Sequence, residues 1–361
     1  MSRFLSRFEK HEKRTQNVEL KDHGISYTVK IGIGLPPRYY DLLVDTASTH
    51  TWIGGHKRYS RTKTSIKQEG RSFSVEYFKG SMTAVVYKDR VQLSSSLIIP
   101  NMEFGVLVVE SMQNMNLECD GILGLGPTVL SGRRVTPNNG QYLPTIMDEL
   151  LVQGIIQQNV FGLSFAPTPQ GTVSGELTFG GIKLQDNINS MNWADITRKV
   201  PWNSYWGFEQ AIKYGDQLLQ PLSTGFLDSG TILIYISPQA FETYSKSLPG
   251  SKIDESRSKL LEIPQASLSK MKSLSFLING VSYELTPNAQ LWPKRLNTLV
   301  GGAPDRYYSV VQNVGTLKLR SPVKLDFIMG YVFMKRFYTA YDGDNSKIGF
   351  AYTPSTYADV Y

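Results

Sequence analysis

A chain of 361 residues has room for two lobes with separate cores, or for one large α/β domain. Its Gly 31 and Pro 18 place a turn breaker about every seven or eight residues, and β-branched and aromatic residues are abundant, so mostly β structure is expected. A lone Cys119 excludes an internal disulfide or a thiolate zinc cage. The formal charge of +7 is partly gathered at Arg3, Arg7, Lys10, Lys13 and Arg14. No base-stacking or groove-reading motif accompanies these cations, so no nucleic-acid partner is expected. No apolar run reaches the roughly 18 residues of a membrane-spanning helix, and charged residues follow Met1 at once, so neither a membrane anchor nor a signal peptide is visible.

In chain order, residues 1–17 read as a basic, flexible head, with the body starting at residue 18. Ile25–Gly34 alternates apolar and polar side chains with the period of a half-buried strand, and Pro36-Pro37 ends it. Leu42-Leu43-Val44 is a short apolar run that stops at Asp45. Further strands are expected at Phe73–Tyr77, Thr83–Tyr87, Phe104–Val109, Phe161–Phe165 and Glu176–Phe179. Short helices are expected over Thr145–Leu151 and, behind Ser237-Pro238, over Gln239–Lys246. Asn279-Gly280 between LSFLI and VSYEL signals a hairpin. The polar, turn-rich stretch from Asn187 to Asn203 suggests a boundary between an N-terminal lobe, 18–195, and a C-terminal lobe, 196–361.

The second half repeats the logic of the first. Thr224-Gly225-Phe226-Leu227 leads into Asp228-Ser229-Gly230-Thr231 as Leu42-Leu43-Val44 leads into Asp45-Thr46-Ala47-Ser48. One such turn is commonplace. Two, each behind an apolar strand and each with a hydroxyl three residues after Asp, suggest two loops meeting at a shared site. Two carboxylates brought close cannot both ionise cheaply, so one keeps its proton. The charged one can then take a proton from water as it attacks a peptide carbonyl, while the other donates to the developing oxyanion. That chemistry needs no metal and no cofactor. Ser48 and Thr231 can hold the outer carboxylate oxygens, and Thr46 and Ser229 can tie the loops together.

LLVDTASTHTWIGG at 42–55, DGILGLGP at 120–127, LDSGTILIYI at 227–236 and DFIMGYVFMKRFYTAYD at 326–342 carry a resemblance to the pepsin-like aspartic endopeptidases. Within that family the chain is most similar to the polyporopepsin-type proteases of basidiomycete fungi, over nearly its whole length from Tyr27. The resemblance implies an all-β, bilobal fold with an interlobe sheet and a central peptide-binding cleft. It makes Asp45 and Asp228 the catalytic pair, and Tyr77, Phe78, Lys79 and Gly80 the tip of a substrate-covering flap, with Trp52 bonded to Tyr77. Ile122 is implied to face the cleft as part of a side-chain pocket. The implied partner is a polypeptide bound as an extended strand, with large apolar residues around the scissile bond; a pepstatin-like inhibitor, a monomeric state and an extracellular location are implied as well.

Three features depart from the family pattern. Ala47 stands where glycine is usual, which strains the loop if its backbone is left-handed. Tyr77-Phe78-Lys79-Gly80 replaces Tyr-Gly-Ser-Gly, and Lys79 either faces solvent or stands over the acids and favours their ionised forms. The head fits a propeptide remnant, a truncated chain or a native start. Ala47 and the flap keep a rival open, a non-catalytic relative that only binds peptide. Other chemistries lack their signatures: no Gly-x-Ser-x-Gly elbow, no nucleotide-binding glycine pattern, and histidines, including His50 and His56, confined to the first 56 residues. Cys119 is expected to be a buried or half-buried thiol outside the chemistry.

Overall fold

A computed structural model describes residues 15–77, 80–109, 119–131, 135–137, 142–167, 173–183, 190–256, 258–317 and 324–359. Strands dominate it, arranged as a 14-stranded sheet, a 7-stranded sheet and a 3-stranded sheet. Among the described residues no helix is long and apolar enough to cross a membrane.

The repeat seen in the sequence is a repeat in space. Strand Arg38–Asp45 runs parallel to Gly121–Gly124, with Asp45 opposite Gly124. Strand Gln217–Asp228 runs parallel to Phe327–Gly330, with Asp228 opposite Gly330. Each of these short strands is flanked antiparallel by the strand after the Asp turn, Trp52–Ile53 in one half and Ile234–Ile236 in the other. Those strands pair in parallel with Ile98–Val109 and Val311–Asn313 respectively. The two glycines are demanded by close approach: a Cβ on Gly124 would lie 2.4 Å from the Thr49 carbonyl oxygen, and one on Gly330 would lie 2.3 Å from that of Leu233.

Both Asp-bearing strands are buried as their apolar sequences require. Leu42 and Val44 are fully buried, as is Leu227, and burying one such side chain contributes about 1.5–3 kcal/mol. The halves are joined by a continuous run of strands within the largest sheet. Asn192–Asp195, Lys347–Tyr352, Phe337–Asp342, Val160–Phe165, Val173–Phe179 and Gln16–Asp22 lie side by side in that order.

Local signals map closely. Thr145 caps helix Ile146–Val152 in a capping box with Asp148, and Ser237 caps Pro238–Lys246. Asn279 at φ 43° and Gly280 at φ 79° form the two-residue turn between Leu274–Ile278 and Val281–Leu285. The head differs from expectation at its end. Gln16 and Asn17 already pair with Phe179 and Thr178, because the strand edge of Val173–Phe179 needs a partner and nothing in Gln16–Asp22 breaks a strand. Residues 1–14 lie outside the described residues.

Candidate functional site

The two Asp turns meet face to face and are hydrogen-bonded across the junction. The Thr46 N–H donates to Ser229 Oγ and the Ser229 N–H donates to Thr46 Oγ1, each at 3.0 Å. Each hydroxyl passes its own proton onward, Ser229 Oγ to the Val44 carbonyl at 2.8 Å and Thr46 Oγ1 to the Leu227 carbonyl at 3.3 Å. Every polar atom of the two buried hydroxyls therefore has a partner, and the four bonds fix the loops against one another. The expected tie between Thr46 and Ser229 thus reaches the strands before each Asp through Val44 and Leu227, a detail that residue types could not show.

The carboxylates are held by their own turns. Asp45 Oδ1 accepts from the N–H groups of Ala47 at 2.8 Å and Ser48 at 3.0 Å, while Ser48 Oγ donates to Oδ2 at 2.5 Å. Asp228 Oδ1 accepts from the Gly230 N–H at 2.9 Å, and Thr231 Oγ1 donates to Oδ2 at 2.6 Å. Both acids are buried, and burial pushes both carboxyls above the usual carboxylate range against the pull of these donors. At Asp228 the negative charge of Asp45 pushes further in the same direction. One proton therefore stays on the pair.

Ala47 carries no backbone strain. The non-glycine residues with positive φ among those described are Lys259, Asn279 and Ser346. Its methyl group instead packs, half-buried, against an apolar cluster that includes Trp202 and Phe226, with Tyr205 and Tyr235 alongside. The left-handed backbone that would have disfavoured alanine is absent here, and the N–H donor to Asp45 is kept.

Trp52 and Tyr77 are brought together as the resemblance implied: Trp52 Nε1 donates to Tyr77 Oη at 3.0 Å. Tyr77 ends strand Ile66–Tyr77 and pairs with Gly80 across the hairpin formed with Gly80–Gln92. Phe78 and Lys79 lie outside the described residues, so the expectations for Lys79 do too. Ile122 differs from expectation. It is 1% exposed, inside an apolar cluster with Trp52, Phe73 and Val75 against which Tyr77 packs, and these side chains cover the face of the sheet to which it points. It supports the flap residue from beneath rather than presenting a free surface.

Two aromatic residues not singled out in the sequence border the acids. Burial and then the charge of Asp228 raise the half-buried Tyr235 phenol, and Tyr341, fully buried, receives a hydrogen bond from Thr339 Oγ1 at 3.3 Å and is raised by burial. Both sit within motifs that carried the resemblance, but nothing in residue type separates them from core tyrosines. Elsewhere, His50 is buried and stacked on Phe73 at 4.3 Å while His56 is exposed, and burial pushes the Cys119 thiol up to about 11. Among the described residues no group of three or more His, Cys, Asp or Glu is placed to hold a metal ion.

Comparison with known proteins agrees with this geometry. Residues 26–353 match the family model described as eukaryotic aspartyl protease. Polyporopepsin from Irpex lacteus is 38% identical over 336 residues, covering 92% of this chain and 96% of that protein. Cathepsin E from Rattus norvegicus is 29% identical over 346 residues, covering 91% of this chain and 80% of that protein. The crystal structure of the aspartic proteinase from Irpex lacteus superimposes with a TM-score of 0.88 at 37% identity, over 96% of this chain and 99% of that one. With two Asp turns locked together in the middle of a duplicated β fold, and with the family model spanning nearly all of it, the chain belongs to the eukaryotic aspartyl proteases and is an aspartic-type endopeptidase.

Proposed function

We propose that Asp45 and Asp228 are the catalytic pair of this endopeptidase, acting on a water molecule between them. The observation that carries the assignment is the reciprocal Thr46–Ser229 hydrogen bonding, which holds two buried carboxylates in one mutually charged site. With the proton on Asp228, the Asp45 carboxylate takes a proton from water as the oxygen bonds to the peptide carbonyl carbon. Asp228 gives its proton to the carbonyl oxygen, forming a neutral tetrahedral diol. Asp45 then gives its proton to the amide nitrogen while one diol hydroxyl loses its proton to the Asp228 carboxylate, so that the C–N bond breaks, the C=O of the new carboxyl forms, and the pair again holds its single proton on Asp228. The donors on Asp45, from Ala47 and from the backbone and hydroxyl of Ser48, stabilise the charged form that this step needs.

Substrate for such an enzyme is polypeptide. In this proposal it lies extended across the junction of two lobes divided near residue 195, under the hairpin that ends at Tyr77, and large apolar side chains flank the cut. Trp52 holds Tyr77 in place at the end of that hairpin. The protein acts as a monomer in an extracellular setting. The supporting features are the hairpin itself, the Trp52–Tyr77 bond and the apolar cluster beneath it.

The test is digestion of a broad peptide library between pH 3 and pH 7 by wild type and by Asp228→Asn, with and without a pepstatin-like inhibitor. Cuts between large apolar residues, lost in Asp228→Asn and with inhibitor, are the expected result. Persistent cleavage by both Asp45→Asn and Asp228→Asn would place the chemistry elsewhere.

A further inference from the structure

Strands Tyr27–Ile33 and Arg38–Asp45 are joined by a short turn, and the loop of residues 57–65 is laid against it. The Leu35 N–H donates to Thr62 Oγ1 at 3.2 Å, the Ser60 N–H to the Tyr40 hydroxyl at 3.1 Å, and Lys57 Nζ to the Tyr39 carbonyl at 2.7 Å. The loop is fastened from below by buried Asp89, which accepts from the hydroxyls of Tyr59, Thr62, Thr64 and Ser65. Thr62 and Thr64 are thereby drawn inward, and Arg61 and Lys63, which alternate with them, are exposed.

The outward surface of this assembly is basic. Arg38, Lys57, Arg61 and Lys63 are exposed on it, and Lys30 joins them, its Nζ 5.5 Å from the centre of the Tyr39 ring. Among the described residues none of these five cations is in a salt bridge. The carboxylates packed beside them are Asp41, opposite Lys30, and the buried Asp89 and Asp120. Asp120 accepts from the N–H groups of Asp41 and Lys57, so it too faces inward. Leu35 and Tyr39, at 50% and 47% exposed, set apolar surface among the cations.

This face lies at the far end of the strand that carries Asp45. Arg38 begins that strand and Asp45 ends it, about 23 Å of extended chain. Strand Gln16–Asp22 starts at the same end, since Leu20 lies opposite Val29 and Gln16 therefore lies toward Ile33. Residues 1–14 join the fold there, and their sequence sets Phe4, Leu5 and Phe8 among five cations, against Glu9 and Glu12. We propose that this face docks on a lipid bilayer rich in anionic phospholipid, with the cations at the headgroups and Leu35 and Tyr39 entering the interface. An acidic polysaccharide or a nucleic acid uses the charge but leaves Leu35 and the apolar residues of the head without a role. A bilayer held here leaves the acid pair, at the opposite end of the strand, open to polypeptide.

The test sediments full-length protein with phosphatidylcholine vesicles and with vesicles carrying about 30% phosphatidylserine. Binding to the anionic vesicles alone is expected, lost at about 0.5 M salt, with cleavage of a short peptide proceeding on the vesicles as in solution. Arg38→Gln with Lys63→Gln removes two charges and should weaken vesicle binding about 30-fold, and Leu35→Asn about fivefold. Both variants should cleave the peptide in solution like wild type. Binding to dextran sulfate but not to anionic vesicles would make the partner a soluble polyanion and overturn the proposal. Undiminished vesicle binding by the Arg38→Gln, Lys63→Gln variant would assign the attraction to the head, and undiminished binding by Leu35→Asn would remove insertion; either result overturns it as well.

Discussion

Gly230 stands against the Asp45 carboxyl so closely that a Cβ placed on it would lie 2.9 Å from Cγ and 3.0 and 3.1 Å from the two oxygens. Its partner in the duplicated turn, Ala47, already carries a Cβ, which packs against the apolar cluster of the other half. The two turns are therefore not interchangeable. Gly230→Ala must displace the acid or the turn, and overpacking of this kind destabilises by about 1–3 kcal/mol. Peptide cleavage by Gly230→Ala should fall by at least about 100-fold, consistent with the sensitivity of catalysis to misplacement of about 1 Å. Ala47→Gly should keep activity within a fewfold of wild type; a large gain would mean that the methyl group obstructs the pair.

The raised carboxyl of Asp228 sets a pH dependence of known sign. Its folded-state affinity for a proton exceeds that of the unfolded chain, so its stabilising contribution is complete below the ordinary carboxylate value of about 3.9 and is lost as pH rises through the raised value. Activity, which needs the singly protonated pair, falls over the same rise. Asp228→Asn should abolish cleavage and flatten the decline of melting temperature between pH 4 and pH 7. An equally steep decline in that variant would show that another group is responsible.

Thr46 and Ser229 should behave as one unit. Each hydroxyl both accepts across the junction and donates to a carbonyl of the opposite half, so its removal leaves a buried N–H and a buried carbonyl unsatisfied, at about 1–3 kcal/mol. Thr46→Val and Ser229→Ala, measured singly and together by urea unfolding, should show a coupling of about 0.5–3 kcal/mol. Strict additivity would mean that the two turns are held by the surrounding sheets instead.

Asp89 should stabilise the fold above about pH 4 and lose that contribution in acid. Burial alone would raise its carboxyl, but hydroxyls of Thr64, Ser65 and Tyr59 donate to it at 2.5, 2.7 and 2.9 Å, and with the Arg90 N–H they hold it below the usual range. A lowered folded value gives stability that is present above the unfolded value of about 3.9 and is lost only as pH falls through the folded one. Asp89→Asn should therefore lower the melting temperature at pH 5 and narrow its gap to wild type as pH drops toward 2. A gap that stays constant down to pH 2 would remove ionisation from the explanation.

Much of the site was legible because its chemistry is local. An apolar strand ending in Asp, followed by hydroxyl residues at the first and third positions, encodes both the acid and the donors that hold it, and the structure brings Ser48, Thr231, Thr46 and Ser229 to the atoms expected of them. Ala47 was harder to judge, because the penalty depends on a backbone angle that residue type does not carry. Ile122 was misplaced for a related reason: a side chain in a sheet points to one of two faces, and only the side chains packed over that face, here those of Trp52, Phe73 and Val75, decide whether it is covered. The strand at Gln16 and Asn17 went unseen because its pairing partner lies more than 160 residues away, at Thr178 and Phe179.

The sequence by itself determined the duplicated strand-to-Asp turns, the capped helices and the Asn279-Gly280 hairpin, since each depends on side chains within a few residues of one another. Only the tertiary structure decided that both carboxyls are buried and raised, why Gly230 cannot carry a side chain while Ala47 can, and how Asp22 comes to meet Lys335. Those outcomes rest on electrostatics and close contact between segments far apart in the chain, and both act through distances in space that spacing along a sequence does not specify.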